Sequence, residues 1–462
     1  MNKKGNNDIN KDAIEDARVL GVPKMLILGI QHIFAMFGAT VLVPLITGLD
    51  ISTTLLMAGL GTLLFHIITK FKVPAFLGSS FAFLGGYAAV APRLADGSSN
   101  KEMLPYACAG VFAAGLVYLV LAGFIKMFGI KKVMRFFPPV VTGPIIISIG
   151  LILAPTAINN ASDNWLLAII ALSVIIVFNI WGKGMMKIIP IILGVVISYA
   201  VAVLLKEVDF SGVKELAAKG FIGGIVAMPL HADSFAIKPL LNFDSLTLSA
   251  IITMVPISLA SMMEHIGDIS AIGATTGKNF IAEPGLHRTL IGDGLATSFA
   301  ALFGGPSNTT YGENTGVLAL TKVYDPRVMR IAAFFAILLS FFPIVSSLIS
   351  TIPVAIIGGI SFVLYGMISA IGIRNVVENN VDFTKSRNLI IAAVILVSAL
   401  GFNSIGGVTF MIGSANITLS GLAIAAILGI LLNALLPGND YVFSSEEAND
   451  TKENFELELS EQ

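Results

Sequence analysis

Four carboxylates sit inside otherwise apolar stretches of this sequence: Glu264 and Asp268 in "MMEHIGDIS", Asp293 in "LIGDGLATS" and Glu313 in "NTTYGENTG". A carboxylate at membrane depth costs a few kcal/mol even on lenient scales, so such a group faces a cavity or a partner and carries a function. Glu264 and Asp268 are four residues apart, which places both on one helical face. Two carboxylates that close in a low-dielectric site do not both ionise readily, so the pair is suited to carry a proton. Glu313 lies in a break rich in glycine and threonine, where an irregular backbone offers free N–H groups beside the acid. His265 and His32 read as packed or hydrogen-bonded histidines. "EHxxD" has no third ligand at metal spacing, so no metal is expected. Asp293 reads equally as a site residue and as a structural acid near a segment end.

The setting follows from composition. The 462 residues are 55% hydrophobic and only 12% charged, with a mean hydropathy of +0.88. That leaves too little polar surface to cover a soluble globule, so the chain reads as a polytopic membrane protein. A net charge of −1 argues against a nucleic-acid surface. The first 22 residues are polar and lack the apolar run of a cleavable signal. Cys108 is the only cysteine; it excludes an intramolecular disulfide and reads as a packing residue. Neither "HExxH" nor "GxSxG" occurs, which argues against an intramembrane enzyme.

Windows of about 20 residues pick out fourteen apolar segments: 24–47, 52–69, 74–92, 105–127, 137–155, 165–181, 186–205, 246–270, 289–303, 306–321, 328–346, 350–372, 388–402 and 417–436. Lys and Arg distribute accordingly. Five lie in or at the edge of the N-terminal tail, sixteen in loops after even-numbered segments, and six in loops after odd-numbered ones, four of these in one long loop. Positive charge is retained on the cytoplasmic side, so this alternation predicts fourteen spans with both termini cytoplasmic in a cell membrane. The acidic C-terminal tail reads as a solvated, disordered end.

Fourteen is twice seven, and an odd-numbered unit repeated once gives two halves of opposite orientation. Segment 1 contains "QHIFAMFGAT" and segment 8 "EHIGDISAIGAT"; Pro138 and Gly143 in segment 5 are matched by Pro353 and Gly358 in segment 12. Segment 3, "VPAFLGSSFAFLGGYAAVAP", and segment 10, "GPSNTTYGENTGVLAL", are both interrupted by glycine and proline and rich in small polar residues. A matched pair of broken segments points to a binding site near the bilayer midplane. The hydroxyls of Ser79, Ser80, Thr309 and Thr310 taken singly read first as helix-packing groups that bond carbonyls.

The stretches "QHIFAMFGATVLVPLITGLD", "VPAFLGSSFAF", "EHIGD", "EPGLHRTLIGDGLATS", "NTTYGENTG" and "GGISFVLYGM" resemble the nucleobase-ascorbate transporter family, in matching order from about residue 20 to 436. The resemblance implies an all-α membrane fold of two inverted seven-segment repeats with short β-strands in segments 3 and 10. It implies a core domain from 24–127 and 246–347, a gate domain from 128–245 and 348–437, and cytoplasmic tails at 1–23 and 438–462. It implies secondary transport by proton symport, no cofactor, and a homodimer through the gate domain. Purine carriers of the family usually show a Gln-Asn pair where this chain has Glu313 and Asn314, so "YGENTG" implies a pyrimidine, uracil foremost. Carried over position by position, Glu264 and Glu313 are the substrate-binding glutamates. Main-chain N–H groups at Phe81 and Gly312 meet the base, Ala39 and Ser80 line the pocket, Asn314 completes the signature, and Tyr365 closes over it from the gate. The family pattern has a second histidine where this chain has Asp268, so proton coupling is assigned here to Glu264, Asp268 and Glu313. A xanthine or urate carrier of the same family is the alternative, as is a channel or anion exchanger of similar architecture. The latter would prefer Arg or Lys in the pore, whereas every basic residue here falls in a loop, tail or span edge.

Overall fold

The computed structural model describes residues 13–94, 98–220, 224, 226–412, 415–439 and 441. Of the C-terminal tail expected to be disordered, 438–462, residues 440 and 442–462 lie outside the described ones. A helix forms in every apolar stretch: α1 (Val22–Thr47), α2 (Ile51–Ile68), α3 (Leu84–Val90), α4 (Leu104–Phe128), α5 (Pro139–Ala161), α6 (Trp165–Trp181), α7 (Pro190–Leu204), α8 (Ser245–Thr276), α9 (Leu286–Leu302), α10 (Gly312–Thr321), α11 (Pro326–Ser340), α12 (Val354–Glu378), α13 (Ser386–Ser404) and α14 (Gly421–Leu435).

Polar residues at the apolar boundaries start these helices. Asp50 accepts from Thr53 N at 2.6 Å, Asn164 from Leu166 N at 3.0 Å, Asp244 from Thr247 N at 2.9 Å and Asp325 from Arg327 N at 2.9 Å. Each satisfies a first-turn amide that has no partner within its own helix. α8 is built of two helices, Ser245–Met254 and Ile257–Thr276, which meet at Pro256.

Among the described residues, seven helices are long and apolar enough to cross a membrane: α1, α2, α4, α5, α8, α12 and α13. α11 makes an eighth when joined to Pro343–Ser350, from which it is bent by 83°. α6, α7 and α14 are apolar but shorter. At 1.5 Å per residue the 17 residues of α9 reach about 26 Å, and α3 and α10 are shorter still because their segments begin as strands rather than helix.

Those strands are β1 (Leu77–Ser79) and β2 (Asn308–Thr310), paired antiparallel with Leu77 opposite Thr310, Gly78 opposite Thr309 and Ser79 opposite Asn308. A second antiparallel pair, β3 (Val408–Ile412) with β4 (Ala415–Leu419), joins α13 to α14, and the sequence reading does not anticipate it. The long loop after α7 carries a helix at Ser211–Ala218 that the apolar count also passes over, being amphipathic rather than apolar throughout.

Packing partners recur in pairs. α2 lies against α11, and α9 against α4; α6 lies against α12, and α13 against α5; α6 packs on α7, and α13 on α14. The longest contact of the molecule runs between α5 and α12. Small residues let these helices approach closely, since between lipid-exposed helices packing rather than solvent exclusion supplies the attraction. At the α4–α9 crossing a Cβ on Gly115 would lie 2.6 Å from the Gly294 carbonyl oxygen, and one on Gly294 would lie 2.6 Å from that of Gly115. Gly123, two turns further along α4, has nothing within 4 Å. Gly115→Ala is expected to destabilise the fold by about 1–3 kcal/mol through this overpacking. Gly123→Ala should leave it unchanged or slightly improved. Thermal unfolding of the two purified variants in detergent checks the contrast.

Candidate functional site

A three-residue strand inside a hydrophobic bundle leaves backbone groups that need partners, and here side chains from α2 and α9 supply several of them. Beyond the paired residues, Tyr311 N donates to Phe76 O at 3.0 Å and Ser80 N to Ser307 O at 2.9 Å. On the α2 side, Leu77 N donates to Thr62 Oγ1 at 2.9 Å and the same hydroxyl donates to Leu77 O at 3.3 Å. His66 Nε2 donates to Ala75 O at 2.8 Å, which fixes its proton on that nitrogen because a carbonyl only accepts. From α9, Thr297 Oγ1 donates to Asn308 O at 2.7 Å, and Asn308 Nδ2 donates to Met57 O at 3.0 Å. The α1 contribution is Thr40, whose carbonyl accepts from Ser79 Oγ at 3.1 Å. Tyr311 OH crosses from one broken segment to the other, donating to Ser79 O at 2.9 Å. A Cβ on Gly78 would fall 2.7 Å from Thr40 Oγ1 and into the Tyr311 ring, so only glycine fits the centre of β1.

α10 starts directly after β2. Its N-cap, Tyr311, provides no side-chain cap, so the Gly312 amide keeps its donor capacity at the positive end of the helix dipole. Gly312 is exposed and Glu313 half-buried, which opens this helix end to a space within the bundle. α8 runs past it. Asp268 Oδ1 lies 3.3 Å from where a Gly312 Cβ would be, and Asp268 Oδ2 accepts from Thr310 Oγ1 at 3.0 Å. Glu264, one turn back, is half-buried and within electrostatic range of both Glu313 and Asp268. The structure therefore brings Glu264, Asp268, Gly312 and Glu313 around one helix terminus.

Phe81 and Ser80 follow β1, and both are buried. Ser80 Oγ is 3.3 Å from Ser261 Oγ on α8, one turn before Glu264. Phe81 meets Tyr365 of α12 edge-on, with ring centroids 6.2 Å apart and planes at 77°. This aromatic contact reaches the site from α12 and lies beside a cleft lined by Phe81, Ala82, Gly85, Ile149, Ile257 and Leu422. Ala39 is fully buried in α1. Asn314 turns the other way, since its Nδ2 donates to the His32 carbonyl at 3.1 Å and lies 3.1 Å from His32 Nδ1, so in this structure it joins α10 to α1.

Asp293 is not at a segment end. It is fully buried in the interior of α9, with Oδ2 3.4 Å from His265 Nδ1. That nitrogen is also 3.3 Å from Thr310 Oγ1. The Thr310 hydroxyl proton is already given to Asp268, so the proton between them belongs to His265 Nδ1. Asp293, His265, Thr310 and Asp268 thus form a continuous polar chain ending at Gly312. The sequence reading treats Thr310 as a packing hydroxyl and His265 as satisfied. Both are hydrogen-bonded, and what it misses is that β2 lies against α8, a tertiary placement that carries no local signal.

Residues 23–408 match the Permease family. The chain is similar to the uracil permease of Bacillus caldolyticus, 42% identical over 434 residues that span 92% of this chain and 94% of that one. It is also similar to the uracil permease of Bacillus subtilis (strain 168), 39% identical over 441 residues, 93% and 95% of the two chains. Among solved structures, the transmembrane domain of the cyanobacterial bicarbonate transporter BicA superposes with a TM-score of 0.60 at 15% identity, covering 91% of this chain and 99% of that one. Murine SLC26A9, an anion transporter in its inward-facing state, superposes with a TM-score of 0.57 at 11% identity, covering 91% and 70%. Identities this low speak to the fold alone.

Thr62→Val is expected to leave the buried Leu77 amide without an acceptor at a cost of about 1–3 kcal/mol, whereas Thr62→Ser keeps the hydroxyl and most of the stability. Unfolding midpoints of the two variants in detergent measure the difference.

Proposed function

This chain belongs to the Permease family, whose members move solutes rather than transform them, and from that premise we propose that it imports uracil by proton symport through alternating access. The observation that carries the reading is the grouping of Glu264, Asp268 and Glu313 around the uncapped start of α10, in a chain 42% identical to a uracil permease over nearly its whole length. Uracil is a flat neutral ring whose two N–H donors alternate with two carbonyl acceptors. Carboxylates accept from the donors, and amides at Gly312 and near Phe81 donate to the carbonyls, a complementary set. Phe81 adds apolar contact against the ring, and Tyr365 covers Phe81 from α12.

The translocation scheme divides the chain into a core of α1–α4 with α8–α11 and a gate of α5–α7 with α12–α14. Recurrence of the packing pairs under a shift of seven elements, α2 on α11 with α9 on α4 and α6 on α12 with α13 on α5, supports two inverted repeats. The antiparallel β1–β2 pair, one strand from each half, lies where such repeats meet. The core carries the carboxylates and moves against the gate, with Phe81 and Tyr365 at the moving boundary. Protonation of the Glu264/Asp268 pair accompanies substrate binding, since a proton shared by the two carboxyls lowers the buried negative charge that moves between the two sides. The sidedness of Lys and Arg supports a cell-membrane location with both termini cytoplasmic.

Uptake of labelled uracil into proteoliposomes should rise with an inward proton gradient and fall with unlabelled uracil but not with xanthine or urate as competitor. Uptake that tracked sodium and ignored pH would overturn the coupling, and competition by a purine would overturn the substrate. Glu313→Gln replaces an acceptor-only group by one that also donates, and should weaken uracil binding about ten- to hundredfold, the range for a hydrogen bond to a charged partner. Calorimetric titration of the purified variant measures it.

A further inference from the structure

The residues just before α1 are not a free tail. Ile14 pairs in parallel with Val323: Ile14 N donates to Lys322 O and Tyr324 N to Ile14 O, both at 2.9 Å. Ala17 N donates to Asp325 Oδ2 at 2.7 Å, and Ala17 is fully buried. Arg327 Nη1 joins Asp16 Oδ1 at 2.9 Å and Asp325 Oδ2 at 2.8 Å, tying both sides together. Beneath this polar seam Ala17 packs with Val323 and Val328, flanked by Ile14, Leu20, Met25 and Leu28. Glu15 reaches Lys278 at 3.2 Å, two residues past the end of α8. That exposed ion pair contributes little by itself. The two backbone bonds, the buried amide and the apolar cluster make the attachment.

What the segment grips matters more than that it grips. Lys322 is the left-handed C-cap of α10, with φ 53°, so the docking site begins at the last residue of the helix whose first turn carries Gly312 and Glu313. α10 has ten residues, and about 15 Å of rigid helix separates the two ends. At its start Asn314 ties it to His32 on α1, the helix that the segment leads into, and it also packs against α8. α10 is therefore held at its near end by α1, on its flank by α8 and at its far end by residues 14–17, so the segment fixes the end of the helix opposite Glu313.

We propose that Ile14–Leu20 is a positioning strap: docked on residues 322–327, it sets the tilt of α10 and so holds Glu313 at the distance from Glu264 at which the site binds. The inference rests on the uracil reading above and adds a control point on the cytoplasmic side of the same site. Coupling of this kind is reciprocal, so a ligand that needs Glu313 in place also tightens the strap.

Ala17→Asp places a charge in the apolar cluster and should release the strap, raising the Kd for uracil about tenfold, within the usual range of such couplings. A disulfide between Ile14→Cys and Val323→Cys added to that variant should restore the parent Kd, and reduction should undo the rescue. A role in stability alone would lower the unfolding temperature and leave Kd untouched, and a folded Ala17→Asp protein with the parent Kd overturns the proposal. Should that variant not fold, amide exchange in the parent decides: uracil should slow exchange at Ile14, Ala17 and Tyr324, and unchanged exchange overturns the strap. A parent that binds no uracil refutes the substrate reading instead, and the exchange measurement is then read with the base that the uptake panel selects.

Discussion

The structure turns on one problem of backbone solvation. A helix satisfies its own amides and carbonyls within hydrocarbon; a strand does not, and the chain twice interrupts a helix with a three-residue strand in the middle of the bundle. The solution is that the two interruptions pair with each other across more than two hundred residues of sequence, while α2 and α9 bond backbone groups beside and within the strands through Thr62, His66 and Thr297. Once these groups are spent on the strands, the Gly312 amide at the start of α10 remains as a donor without a side-chain cap, and the acids of α8 lie opposite it. The polar site is thus a by-product of how the break is repaired.

Much of this was legible in the residues because the bilayer leaves few alternatives. Apolar length marks the helices, and an acid at membrane depth marks itself. The matched glycine and proline interruptions of segments 3 and 10 identify the pair of elements between which Glu313 and Ser80 are displayed. What sequence could not supply is rotation and contact. Asn314 follows Glu313 directly yet points to His32, because adjacent helical residues face about 100° apart and the α1 side was already occupied by His32. Asp293 looked peripheral because α9 is short and only weakly apolar, and its burial depends on α4 and α8 closing over it. The β3–β4 pair was missed because its second strand runs into the last apolar window, where it reads as the start of a span, and the docked residues before α1 because they lie outside the windows and are held by residues 322–327.

The arrangement of charge is equally economical. Three acids gather at the positive end of one short helix, where the dipole and a free amide favour negative charge. Asp293, His265, Thr310 and Asp268 lie in a row, so the innermost acid has a histidine 3.4 Å away and Asp268 a hydroxyl donor in Thr310. Fold likeness to bicarbonate and anion transporters at 15% and 11% identity shows the same scaffold in proteins of other descriptions. Architecture by itself therefore does not decide substrate.

The brevity of the strands sets an evolutionary limit. Side chains alternate along a strand, so inserting or deleting one residue within 77–79 or 308–310 would exchange Thr310 for a neighbour on the face toward α8 and turn Tyr311 away from Ser79. Three residues leave no room to absorb such a slip. The spacing from Ser79 to Phe81 and from Asn308 to Glu313 is therefore fixed by a count of atoms.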